Sequence, residues 1–515
     1  MSAVPDDATR VDVSKAGAGG TSAGTGPDPK RWLALAIIAV SQLMVVLDAS
    51  IVNIALPAIE KSKGDGGLGV NQVDGQWVIT AYALAFGGLL LLGGRISDYV
   101  GRKRMFIIGL IGFAAASALG GAAVNGGMLF GARALQGAFA ALLAPAALSL
   151  ITVSFTDAKE RAKAFGVYGA ISGGGAALGL ILGGVLTEYA DWRWCLFVNV
   201  PIAIAAAIAG FVVVHESKAE GEAKYDIPGA ILVTAGLVSL VYGFTEAAKP
   251  GVGWTAGSTV LFLGAAVVLL VAFVFVEART SHPLLPLWVV LDRNRGAAYL
   301  TSLLIGAGLF AMFLFLTYYF QINLGYTPIK AGLAFLPFSG GIIVTAGLAS
   351  SLLPRFGPKP LMVVGGTLAT IGLLWLTQLE QDSAWVTHVL PAELVMSIGM
   401  ALVFVPLASL SLVGIGGQDA GVASAMLNTS QQVGGALGTA LLTTIYSGAV
   451  TRYLTANPPS SPDQAGASQL EAFISGYHHA FLIGGLLILA ATLVTALIVK
   501  ATKDDVEVQE GAMIA

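Results

Sequence analysis

The chain has 515 residues, of which 56% are hydrophobic and only 11% charged, less than half of the roughly 25% found in a soluble globular protein. A soluble fold cannot hide that much apolar surface. A net charge of −3, with no basic cluster interleaved with aromatics, offers nothing to nucleic acid, and a lone cysteine, Cys195, excludes an intrachain disulfide framework and a cysteine-based zinc site.

In chain order, residues 1–30 are polar and rich in Gly, Ala, Ser and Thr. They predict a disordered tail rather than a cleaved signal peptide, with the first apolar helix, near Trp32, doubling as the insertion signal. Apolar blocks then recur at lengths of roughly 17–25 residues or more, enough to cross a bilayer as helices. They predict fourteen spans, at 33–57, 75–94, 104–124, 127–151, 161–189, 194–214, 226–247, 256–277, 296–322, 330–353, 358–378, 385–411, 420–447 and 477–500. An even number of spans puts both termini on one side. With that side cytoplasmic, twenty Lys and Arg residues face inward, among them Arg95, Arg102, Lys103 and Arg104. Six face outward: Lys61, Lys63, Arg193, Lys249, Lys330 and Arg452. The bias follows the positive-inside rule, and shifting the register by one helix destroys it from that point on.

The connection Ser97-Asp-Tyr-Val-Gly101-Arg-Lys103 is echoed by Leu353-Pro-Arg-Phe-Gly357-Pro-Lys359. The echo places one six-helix unit at helices 1–6 and another at helices 9–14, with helices 7 and 8 an inserted pair. The expected architecture is therefore an all-α integral membrane fold of two six-helix bundles plus two inserted helices. Its divisions are a tail at 1–30, a first bundle at 31–215, the inserted pair with its linkers at 216–280, a second bundle at 281–500 and a tail at 501–515. Two such halves with a site between them make a transporter plan.

Asp48, in MVVLDASIVNIALP (44–57), is an acid inside the first span. At a span centre it costs roughly 2.5–3.5 kcal/mol, which marks it as a candidate site for binding and releasing a proton. The other reading is a carboxylate near the interface, reaching water or a polar neighbour. Asn53 lies further along the same helix and is a candidate to share its site. Asp98 ends the second helix in GRISDYVGRKR (94–104), where Gly101 permits a tight turn. Arg133 is a fixed cation inside the fourth helix, followed by Gln136. It needs a partner or water, and serves either proton coupling or anchorage to loop carbonyls. The fifth helix carries Gly169, Gly173, Gly175, Gly179, Gly183 and Gly184, a smooth stripe for close helix packing, which Gly434 and Gly438 partly repeat in the thirteenth. Glu393 in the twelfth helix is either a second intramembrane acid or an interfacial one. Tyr82, Tyr318, Gln321, Asn428 and Gln432 are candidates to line a cavity or to serve as packing.

No Gly-Lys-Ser/Thr occurs, so no phosphate-binding loop and no ATP motor is expected. No metal site, cofactor loop or nucleophile–base pair stands out, which argues against an enzyme.

Residues 94–104, with Gly94, Asp98, Gly101, Arg102 and Lys103, resemble the cytoplasmic signature of the major facilitator superfamily. The segment from Leu47 to Pro57 resembles the first-helix motif of its fourteen-helix drug:proton antiporters. Arg133-Ala-Leu-Gln136-Gly137 resembles the motif implicated in proton coupling, and the glycine-rich fifth helix resembles the exporter motif. Asp191-Trp-Arg-Trp194 and Asn199-Val-Pro201 resemble the following connection. The chain departs from the pattern at Leu180, where a proline is frequent, and at Ser50, where threonine is. The resemblance implies proton-coupled efflux of small hydrophobic drugs or antibiotics across a bacterial cytoplasmic membrane by alternating access. Asp48, Arg133 and Glu393 would couple protons, and residues 94–103 would form the cytoplasmic gate. A monomer in the lipid bilayer is expected, with no cofactor. A metabolite carrier or a lipid-handling protein on the same scaffold is the alternative.

Overall fold

The computed structural model describes residues 29–155, 157–218, 226–249, 251–281, 283–415, 420–459, 461, 464–503 and 505. The predicted tails, apart from 29, 30, 501–503 and 505, lie outside the described residues, as do 219–225 ahead of the inserted pair and His282. Fourteen long helices follow one another: α1 Arg31–Glu60, α2 Gln72–Val100, α3 Arg102–Gly121, α4 Gly126–Ser154, α5 Ala158–Tyr189, α6 Trp194–Val213 and α7 Ile227–Ala248, then α8 Gly257–Arg279, α9 Arg293–Asn323, α10 Pro328–Phe356, α11 Pro358–Gln378, α12 Trp385–Leu412, α13 Ala420–Ala456 and α14 Ala465–Ile498. Among the described residues, thirteen of them are long and apolar enough to cross a membrane, and α5 contributes a shorter apolar stretch, Gly174–Tyr189.

Most ends fall where the hydrophobic pattern predicts them. The exceptions are extensions: α1 runs to Glu60, α2 to Val100, α13 to Ala456, and α14 begins at Ala465, twelve residues before the predicted start. Apolarity marks only the part of a helix that sits in hydrocarbon, whereas backbone hydrogen bonding continues through the polar turns beyond it. Side chains cap the starts of several helices. Asn125 accepts from Met128 N (2.9 Å) at the start of α4, Asp226 from Gly229 N (2.9 Å) at the start of α7, and Asp292 from Arg295 N (3.0 Å) at the start of α9.

Packing sorts the helices into groups. In the first half α1 lies on α5 and α6, α4 on α2 and α3, and α3 on α6; in the second half α9 lies on α13 and α14, and α12 on α10 and α11. The halves meet where α2 packs on α13 and α5 on α10. The inserted helices α7 and α8 pack on each other, and α7 also touches α2 and α13. Helix α8 is peripheral: Val260, Leu261, Val267, Val268 and Val271 are exposed, as expected of a face turned to lipid. The two echoed turns share a backbone device. Gly101 (φ 133°) joins α2 to α3 and Gly357 (φ 75°) joins α10 to α11, conformations that favour glycine. The end of the molecule holding these turns is called the basic end below, and the opposite one the far end.

Candidate functional site

Asp48 is fully buried, at the centre of a polar network that draws on four other helices of the first half. Its Oδ2 pairs with Arg133 Nη1 of α4 at 2.5 Å, while Oδ1 accepts from Gln136 Nε2 of α4 (2.9 Å) and Asn199 Nδ2 of α6 (2.8 Å). Arg133 Nη1 also donates to Gln136 Oε1 (2.8 Å), and its Nε donates to the Val78 carbonyl of α2 (2.8 Å). Gln136 Nε2 reaches Ser117 Oγ of α3 (2.7 Å), and the guanidinium lies 4.5 Å from the Tyr82 ring. Arg133 and Gln136 converge because three residues on a helix return to the same face. Buried as it is, this ion pair persists because its remaining hydrogen-bonding capacity is also met.

The glycine stripe sets the depth of the site. Gly175, Gly179 and Gly183 of α5 lie on Val46, Ser50 and Ile51 of α1, the residues flanking Asp48. A Cβ at Gly179 would run into Ser50 Oγ, and one at Gly183 would come within 2.7 Å of the Ile51 carbonyl oxygen. Gly184 faces elsewhere, onto Pro328 and Ile329 at the start of α10. The packing of Gly169 and Gly173 lies outside the described residues. In the second half Gly434 and Gly438 of α13 bring it against Leu303 and Ala307 of α9 in the same way.

At the basic end, Asp98 Oδ1 pairs with Arg102 within its own turn, at 3.0 Å. The N-terminus of α3 is capped by Glu216, whose carboxylate accepts from Lys103 N (3.1 Å) and Arg104 N (3.3 Å). Gly101 makes room for that carboxylate, since a Cβ there would lie 2.7 Å from Glu216 Oε1. Lys103 Nζ donates to the Phe211 carbonyl (2.7 Å). Gly94 rests on Pro145 at ordinary distance.

The residues proposed for a cavity divide among three places. Tyr82 and Gln136 belong to the buried Asp48 site. Asn428 is exposed and Gln432 half-buried on α13, with Gln432 facing Gly87 of α2. Tyr318 and Gln321 bridge the seam between α9 and α1, near the half-buried Asn53. There the Tyr318 hydroxyl donates to Glu60 Oε1 (2.5 Å), and Gln321 Nε2 donates to the Ile54 carbonyl (2.9 Å). Ile329 N donates to Glu188 Oε2 (3.0 Å), so α10 is tied to α5 at the same far end. Glu393 is wholly buried in α12, and neither carboxyl oxygen has a hydrogen-bond partner.

Sequence reading missed four contributors. Asn199 belongs to a segment that the family resemblance singles out, but nothing local assigns it to Asp48, and Ser117 carries no local signal, because polar residues in apolar helices acquire meaning only from what faces them. Glu216 lies in a charged stretch that reads as linker. Glu60 lies outside the predicted first span, which ends at Pro57, although an acid one turn beyond a span is a visible signal.

The family model described as Major Facilitator Superfamily matches residues 38–439. The chain belongs to the Major Facilitator Superfamily. It is 48% identical over 482 residues to the puromycin resistance protein of Streptomyces alboniger, covering 93% of each chain. It is 38% identical to the cephamycin export protein CmcT of Amycolatopsis lactamdurans, covering 80% of this chain and 84% of that one. Among solved structures, a bacterial homolog of the human lysosomal transporter Spinster, inward-facing and unoccupied, aligns with a TM-score of 0.64 at 16% identity, covering 92% of this chain and 98% of that one. At that identity the likeness speaks for the superfamily's fold alone.

Proposed function

We propose that this facilitator exports hydrophobic, antibiotic-like compounds from the bacterial cytoplasm in exchange for protons. The buried Asp48–Arg133 pair carries the reading. A carboxylate held by a fixed cation inside a membrane bundle is an exchange site, because a proton and Arg133 compete for the same oxygens. Protonation of Asp48 releases Arg133 to its remaining acceptors, the Val78 carbonyl and Gln136 Oε1, and loosens the α1–α4 contact. Relatives named for puromycin resistance and cephamycin export support efflux as the direction and antibiotics as the cargo.

In this reading the basic end faces the cytoplasm, both termini are cytoplasmic, and the working unit is a monomer without enzymatic activity. The bundles are 31–215 and 281–500, with the inserted pair at 216–280 between them, and they rock about the α2–α13 and α5–α10 contacts. Asp98 and Arg102 brace the cytoplasmic gate. Glu393, sealed without a partner, is the second candidate for proton transfer. One pH unit contributes about 1.4 kcal/mol and 100 mV about 2.3 kcal/mol per charge. One proton per cycle therefore sustains roughly a few hundred-fold gradient of a neutral compound.

The test is drug-induced proton release from acid-loaded proteoliposomes, wild type beside Asp48→Asn, across lipophilic cations and antibiotics including puromycin. Release with the wild type and none with the variant is expected. Silence of folded wild type with every compound would overturn antiport in favour of a metabolite carrier or lipid-handling protein. Retained coupling in Asp48→Asn would move the role to Glu393.

A further inference from the structure

The inserted helices carry two acids that the transport scheme does not use. Asp226 opens α7 and Glu277 lies near the end of α8, at the basic end, and they are 4% and 3% exposed. Each is half satisfied: Asp226 Oδ1 accepts from Gly229 N (2.9 Å), and Glu277 Oε2 accepts from Leu285 N (3.0 Å). The other two oxygens, Asp226 Oδ2 and Glu277 Oε1, are buried without a hydrogen-bond partner. They converge on Gly229, where a Cβ would lie 2.5 Å from the first and 2.8 Å from the second. At that point the two carboxyl groups face each other across the α7–α8 junction.

Among the described residues, charged groups around the pair are few. Arg95 of α2 reaches the segment that Glu277 holds, where its Nη2 donates to the Pro283 carbonyl (2.7 Å). Arg279 of α8 is turned onto the Phe275 ring, 3.9 Å from its centroid. Two ionised carboxylates cannot sit in contact without a cation between them, and two bare acceptor oxygens cannot bond each other. A single proton resolves both problems, since one oxygen becomes a hydroxyl donor and the other accepts from it.

We propose that Asp226 and Glu277 share one proton, making the junction of the inserted pair a proton-binding site separate from Asp48. The site touches α2 through Arg95, one residue after Gly94 of the gate turn, and it holds the 283–285 segment that leads into α9. Its protonation state therefore bears on both halves. When the proton leaves, two negative charges face each other over Gly229 and the α7–α8 junction opens.

Infrared difference spectra of the full-length protein in nanodiscs, recorded through a pH titration, test this without any transport assay. The protonated-carboxyl C=O band is compared in wild type, Asp226→Asn, Glu277→Gln and the double variant. Either amide keeps the backbone bond its acid makes and supplies the missing donor, so folding is preserved. Each single variant alone is expected to remove one carboxyl equivalent, and the double variant no more than that. Bands unchanged in the variants would overturn the proposal, as would loss of two equivalents in the double variant. Because either single variant suffices, the test survives if one fails to fold.

Discussion

The Tyr318 hydroxyl donates to Glu60 Oε1 at 2.5 Å, joining the last residue of α1 to α9 across the seam between the two halves. Glu60 has no ion-pair partner among the described residues, and Gly75 at the start of α2 leaves the space its carboxyl occupies. Alternating access requires α1 and α9 to part at this end, so the bond must break once per cycle.

Tyr318→Phe should therefore favour the state open at the far end. Such a hydrogen bond is worth about 0.5–1.5 kcal/mol net, and each 1.4 kcal/mol is about tenfold in population. Alkylation of a reporter Asn53→Cys by a membrane-impermeant maleimide should speed up by roughly two- to tenfold in the Tyr318→Phe background. An unchanged rate would show that Gln321 and Glu188 hold the seam by themselves.

Removing one member of the Asp48–Arg133 pair should cost more than removing both. Asp48→Ala leaves a buried guanidinium without its anion, a loss of about 3–5 kcal/mol. Asp48→Asn with Arg133→Gln should recover most of the lost thermal stability in detergent while remaining inactive in drug export. Stabilities that simply add would mean that the two side chains do not act as a pair.

The α5 glycines differ in what a methyl group would meet. At Gly179 it collides with Ser50 and at Gly183 with Ile51, whereas Gly174 has open space around it. Gly179→Ala should lower stability by about 1–3 kcal/mol through overpacking and reduce export. Gly174→Ala should be neutral, or stabilising by up to about 1 kcal/mol through helix propensity. Melting curves and drug-accumulation assays on the two variants decide it.

Glu216→Ala should fray the start of α3. The carboxylate serves two otherwise unpaired amides, at Lys103 and Arg104, and losing such a cap costs about 0.5–2 kcal/mol. Hydrogen exchange in the peptide spanning 101–106 should accelerate while exchange at the core of α3 does not. Unchanged exchange would mean that the Arg102 N bond to the Ser217 carbonyl (3.0 Å) suffices.

The sequence by itself determined which segments are helices, because apolar blocks of bilayer length can satisfy their backbone in lipid only that way. It also determined the echoed turns at Gly101 and Gly357, and it singled out Asp48 and Arg133, since charge inside an apolar block is conspicuous whatever surrounds it. Tertiary structure decided who meets whom. Arg133 and Asn199 lie 85 and 151 residues from Asp48 along the chain, and no local pattern encodes such distances. It divided the supposed cavity residues among three places, because Tyr82, Tyr318 and Gln432 carry similar polar signals on helices whose rotation is set only by packing. It also brought together Glu60 with Tyr318 and Asp226 with Glu277. Each of those acids sits at a helix end, where sequence reads as solvated boundary and only the neighbouring helix turns that boundary into an interior.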